Sequence, residues 1–173
     1  MSVQIVPPDP GFRESLLAAW DEFDAVDGGG GNWTGCFGLS REQVSSEEGF
    51  AAMCRTRRQE ATNPAEGLVP ATMLWAVEDD EWLGRVSIRH ELNEHLAHVG
   101  GHIGYAVRPT ARRRGIASAL MRAGLDHLAA LGVERALVTC DEDNTGSIAV
   151  IEQAGGVLQD VVEAKRRYWV ATA

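Results

Sequence analysis

Two periodicities divide the chain. Phe12, Leu16, Leu17 and Trp20 recur at helical spacing, and the polar run 21–27 closes that segment. Phe50, Met53 and Cys54 mark a second helix, which Ser45 and Ser46 followed by two glutamates open with a capping residue and an acidic first turn. From Gly115 onward Ala117, Leu120, Met121, Leu125, Leu128 and Leu131 share one helical face, and Gly132 ends it. Between these helices the pattern changes to strands at residues 73–77 and 82–88, separated by the acidic turn 78–81, which reads as a hairpin. Further strands are expected at 101–107, 136–139, 157–161 and 165–170, and a short edge strand at 3–6 stops at Pro7 and Pro8. Asn144 is placed to cap a helix carrying Ile148 and Ile151, stopped by Gly155 and Gly156. Residues 90–99 read as a polar connection. The four glycines 28–31, continuing to Gly35, predict a flexible loop, because glycine holds regular structure at an entropic cost.

Alternating helices and strands over 173 residues give an α/β class and a single domain spanning 1–173, long enough for a core without disulfides. With 45% hydrophobic and 24% charged residues the composition is that of a globular protein, and no apolar run approaches the ~20 residues of a membrane span, so no membrane partner is expected. Residues 1–10 lack the basic start and apolar block of a secretory signal, which predicts a cytoplasmic location. Cys36, Cys54 and Cys140 are scattered and form no Cys-x-x-Cys pair, as expected of reduced thiols rather than a zinc site. His90, His95, His98 and His102 likewise lack a cysteine or paired carboxylate at regular spacing, so no metal is assigned. The balance of 16 basic against 25 acidic residues, a net charge of −9, argues against general nucleic-acid binding. It suits attraction of a cationic amine. No Gly-Lys-Ser/Thr turn supports an NTPase.

Against this acidic background the arginine-rich stretch from Tyr105 to Ala117 must serve something local. It joins an apolar strand to the amphipathic helix through Arg112, Arg113, Arg114, Gly115, Ile116 and Ala117. The first N–H groups of a helix have no partner within it and carry partial positive charge, so an anion can sit there. Gly115 and Ala117 keep bulk away, and the arginines add charge.

The turn fits the Gln/Arg-x-x-Gly-x-Gly/Ala pattern, and with its flanking strand, helix, strand and Asn-capped helix the chain resembles the GNAT superfamily of acyl-CoA-dependent N-acetyltransferases over nearly its whole length. Residues 88–93, 100–105 and 139–144 look like a bacterial subgroup of predicted acetyltransferases. The resemblance implies the GNAT acyl-CoA N-acyltransferase fold, a mixed sheet of about six to seven strands flanked by about four helices. It implies acetyl-CoA as co-substrate and a small-molecule or peptide amine as acceptor. Homodimers are common in such families. Tyr105, Ala106 and Val107 would meet the pantetheine arm, Arg112 to Ala117 the pyrophosphate, and Asn144 and Ser147 the pantetheine or substrate. The Val107 N–H is the candidate for polarising the thioester carbonyl.

One position departs from the family. Where many relatives carry a tyrosine seven residues after the asparagine, to protonate the leaving thiolate, this chain has Ile151. Tyr168 and Tyr105 are the remaining hydroxyls, and a thiol of pKa about 8.5 also leaves without a dedicated acid. For the base, Asp141 is the first choice among the loop carboxylates, since Glu142 and Asp143 crowd it with like charge; His102 is the histidine alternative. Cys140 reads as a small core residue. Trp33 and the glycine tract are candidates to cover the acceptor. Direct acetyl transfer to a primary amine is the leading function, and a non-catalytic acyl-CoA sensor or interaction module is the alternative.

Overall fold

Strand alternation and helix faces combine into one layered architecture in the computed structural model, which describes residues 2–173. In chain order these are β1 (Gln4–Val6), α1 (Arg13–Val26), α2 (Gly30–Trp33), α3 (Arg41–Ser45), α4 (Glu47–Gln59), β2 (Ala71–Glu78), β3 (Glu81–Arg89), α5 (Glu94–His98), β4 (Ile103–Val107), α6 (Ile116–Ala130), β5 (Arg135–Asp141), α7 (Thr145–Gln153), β6 (Val157–Val162) and β7 (Lys165–Ala171). Short 3-10 turns, Pro10–Phe12 and Pro109–Ala111, precede α1 and follow β4. Among the described residues one sheet runs in the order β1-β2-β3-β4-β5-β7-β6. Every neighbouring pair is antiparallel except β4 and β5, which are parallel.

The sheet separates two cores. Leu120, Met121, Leu125 and Leu128 of α6, with Ile151 of α7, pack on Val86, Ile88, Ile103 and Val138. On the opposite face Leu16, Trp20 and Phe23 of α1, with Phe50 and Met53 of α4, pack on Trp75 and Trp82. Each large apolar side chain so buried contributes about 1.5–3 kcal/mol of transfer free energy. Leu131, assigned to the α6 face by spacing, lies past the helix end and is 49% exposed.

The glycine tract is not a loose loop. Gly28 and Gly29 take left-handed φ values of 71°, and α2 begins at Gly30, whose N–H donates to Asp24 Oδ1 at 2.7 Å. A Cβ on Gly30 would lie 2.5 Å from both Cδ1 and the backbone O of Trp20, and one on Gly31 2.9 Å from Trp20 Cη2. The glycines thus let the backbone lie directly on the indole, a tertiary contact that outweighs their entropic cost. The polar connection 90–99 also contains a helix, α5, capped by Asn93, whose side chain accepts from Leu96 N at 2.9 Å.

Candidate functional site

The site begins where the two parallel strands part. Arg89 N donates to His102 O at 2.7 Å and Arg108 N to Leu83 O at 2.8 Å, so within β4 the even-numbered residues Gly104 and Ala106 turn their backbone groups toward β3, while His102, just before the strand, splits its own between the two neighbours. The odd-numbered residues Ile103, Tyr105 and Val107 therefore face β5. The β4 and β5 register is confined to Ile103 opposite Val138. Beyond it the strands diverge, and the backbone groups of Tyr105 and Val107 line the opening. Before the split, His102 N donates to Leu137 O at 2.7 Å, and Leu137 N donates to the His102 ring at Nδ1, 2.9 Å away.

The opening leads to the start of α6. Gly115 is the N-cap residue in a left-handed conformation, φ 79°, and no side chain caps the helix. A Cβ there would meet nothing within 4 Å, so what demands glycine is its φ, and the space in front of the first helical N–H groups is open. The arginines before it are largely engaged. Arg112 pairs with Asp27 at 2.5 Å and donates from Nε to Val107 O at 3.3 Å, while Arg114 pairs with Glu78 at 2.7 Å. Arg113, itself at φ 66°, has no ion pair among the described residues. The turn is anchored from α1. Glu22 accepts from Arg108 Nε at 2.8 Å, from Thr110 Oγ1 at 2.9 Å and from Thr110 N at 3.3 Å. Partial burial works to raise the Glu22 pKa, and the hydrogen bonds from Arg108 and Thr110 outweigh it and hold the carboxyl below its ordinary value.

Helix α7 forms the other wall. Asn144 Oδ1 accepts from Ser147 N at 3.0 Å, so Asn144 is a helix cap. Tyr105 donates its hydroxyl to Ser147 Oγ at 3.1 Å, and burial pushes the phenol pKa up against that bond. Together these parts enclose a groove of about 900 Å³ bordered by Tyr105, Ala106, Val107, Arg112, Arg113, Gly115, Ile116, Ala117, Asp141, Asn144 and Ser147. Phe23, Asp27 and Trp33 close it from the α1 side. Trp33 is stacked on Phe23 with centroids 6.4 Å apart, and its Nε1 donates to Gly28 O at 2.7 Å.

The other sequence candidates are placed elsewhere. Arg114 turns to Glu78, outside the groove lining. Tyr168 is fully buried in the α7-side core, donating to Glu152 Oε1 at 3.0 Å and accepting from Arg166 Nη1 at 3.1 Å. His102 is buried behind the split. Burial first, and the Arg89 charge second, lower its pKa, and with Nδ1 accepting a backbone N–H the neutral ring carries its proton on Nε2. Asp141 does reach the groove, but Lys165 holds its carboxylate. Ile151, at the position of the expected tyrosine, is core.

Two residues escaped the sequence reading. Arg85 and Arg89 flank Ser87 on β3, and all three alternate onto one sheet face. The signal was available as polar residues at every second position of an otherwise apolar strand. Arg85 is 6% exposed, and its guanidinium is drawn down to about 9 by burial first and by Arg89 second.

A family profile described as "Acetyltransferase (GNAT) family" matches residues 35–156. No curated protein sequence matches the chain. Solved structures do. Mycobacterium smegmatis RimJ, in complex with CoA-disulfide, is 20% identical with a TM-score of 0.68, over 98% of this chain and 80% of that one. The ribosomal-protein-S5-alanine acetyltransferase from Vibrio fischeri is 13% identical, with a TM-score of 0.66 over 98% and 92%. YncA from Salmonella typhimurium, described as a putative acetyltransferase with its cofactor acetyl-CoA, is 10% identical, with a TM-score of 0.61 over 100% and 95%. At these identities the likeness is one of fold.

Proposed function

Since the chain belongs to the acetyltransferase (GNAT) family, we propose that it moves acetyl from acetyl-CoA to a primary amine by direct attack. The observation that carries this reading is the continuity of the split between β4 and β5 with the uncapped α6 N-terminus. An extended donor can pair with the edge of β4 while its pyrophosphate meets free N–H groups at Gly115 to Ala117. Five of the neighbouring structures hold CoA, acetyl-CoA or a CoA disulfide, which supports the same donor.

In this reading the Val107 N–H aims at the thioester oxygen as charge develops there. The amine nitrogen forms the new bond to the carbonyl carbon, the C–S bond breaks, and the sulfur leaves as thiolate. Tyr105 takes the acid role in place of the tyrosine that Ile151 replaces. Its hydroxyl lies in the groove and stays protonated at neutral pH, whereas Tyr168 is sealed in the core. The amine proton passes to Asp141, directly or through water. The residue at position 151 favours one rival, an acyl-CoA sensor without transfer, and thiol release on adding amines excludes it as the sole role.

The test is coenzyme binding by calorimetry with Gly115→Glu. A carboxylate forced into the phosphate space is expected to weaken acetyl-CoA at least 100-fold, roughly the loss of two charge-assisted contacts plus repulsion. Unchanged affinity would place the coenzyme elsewhere.

A further inference from the structure

Arg85 is a buried cation and Arg89 a half-buried one. In a chain of net charge −9, neither has a carboxylate within ion-pairing distance among the described residues. Arg85 directs four of its five N–H groups to neutral acceptors. Nε donates to Trp33 O at 3.0 Å, Nη2 to Asn32 O at 3.0 Å, and Nη1 to Ser87 Oγ at 2.9 Å and Gly104 O at 3.4 Å. Arg89 is different. Only Nη1 is used, on Gly100 O at 3.2 Å and Gly101 O at 3.5 Å. Its Nε and Nη2 have no partner among the described residues, and they are not sealed from solvent as the unpartnered Nε atoms of Arg57 and Arg166 are.

An edge of Nε and Nη2 matches the two oxygens of a carboxylate side-on. A Cβ on Gly104 would stand 3.3 Å from Arg89 Nη1 and 3.7 Å from Nη2, so glycine lets the guanidinium lie directly against β4, with its Nε and Nη2 edge unpartnered among the described residues. The two guanidiniums repel one another, and carbonyl dipoles only partly offset two positive charges in a low-dielectric pocket, so the pair draws an anion. The place adjoins the chemistry. Tyr105 follows Gly104 directly, and Trp33, whose carbonyl takes Arg85 Nε, lines the groove. From Gly104 to Val107 is three residues of strand, about 10 Å, which sets the scale of the separation between anion and reacting amine.

We propose that Arg89, backed by Arg85, is the carboxylate-binding subsite of the acceptor, and that the acceptor is a small amine carrying a carboxylate, of amino-acid size. This deepens the acetyl-transfer reading and rests on it. A polycation such as a polyamine is disfavoured at this position despite the acidic surface elsewhere.

Calorimetry on the protein saturated with CoA, using the proteinogenic amino acids and their α-carboxamides as probes, tests the subsite apart from catalysis. At least one amino acid should bind roughly 10- to 100-fold tighter than its carboxamide, the size of a charge-assisted bidentate contact. Arg89→Gln should abolish that difference. Arg89→Lys should keep the fold, checked by thermal denaturation, yet lose most of the preference because it lacks the fork. Equal binding of acid and amide, a preference that survives both variants, no binding by any amino acid, or stronger competition by inorganic phosphate than by acetate would each overturn the assignment. Thiol release with acetyl-CoA is read separately. Carboxylate binding with no release from any amine would retain the subsite and refute acetyl transfer.

Discussion

Tyr105 and Tyr168 show how position sorts two identical side chains. Both hydroxyls are hydrogen-bonded and burial raises both pKa values, but one borders the groove and the other does not. Tyr105→Phe should lower kcat about 100-fold, the low end of general-acid effects because a thiol is already a fair leaving group, with acetyl-CoA affinity little changed. Tyr168→Phe should leave kcat within about twofold and lower stability by about 1–2 kcal/mol in urea unfolding, since Glu152 and Arg166 lose a buried partner. The reverse pattern in steady-state kinetics would return the acid role to Tyr168. Periodicity could place both tyrosines on strands. It could not say which face opened on the groove, because that depends on where β4 leaves β5.

At the scale of elements, the turn between β4 and α6 is held by the last turns of α1. Glu22 ties down Arg108 and Thr110, and Asp27 ties down Arg112. Because the folded Glu22 pKa is depressed, its stabilisation is present above the unfolded carboxyl value and is lost as pH falls through the folded one. Glu22→Gln should therefore cost about 1 kcal/mol at pH 7, with wild type and variant converging below about pH 4. A constant gap across that range would mean that the carboxylate charge is immaterial. The helix α6, its arginine turn, the β2 and β3 hairpin and the Asn144 cap were legible in the sequence, since each is written in local spacing or in one capping residue. The pairings of Arg112 with Asp27 and of Arg114 with Glu78 were not, because the partners lie 85 and 36 residues away. Nor was the packing of Gly30 on Trp20, which only the folded chain brings together.

Across the whole molecule the sheet gives its two faces to two tasks. Helices α6 and α7 carry the groove wall and the proposed anion cradle, while α1, α2 and β3 present Trp33, Arg85 and Arg89 from the other side. Among the described residues the one parallel neighbour pair in an otherwise antiparallel sheet is what lets the two meet, because its strands separate after one paired residue. No helix among the described residues is long and apolar enough to cross a membrane.

The ion pairs of Arg112 and Arg114 bear on ionic strength. With two of the three motif guanidiniums already facing carboxylates, the proposed coenzyme site would attract a pyrophosphate through backbone N–H dipoles and Arg113, both acting at short range. Acetyl-CoA affinity should thus decline with added salt as if roughly one mobile charge, not three, were engaged. Asp27→Asn should steepen that decline by releasing Arg112, and Arg113→Gln should flatten it, as binding titrations over a salt series would reveal. The proposed cradle is in this sense tolerant of changing electrolyte, because two of its three arginines are already neutralised within the fold.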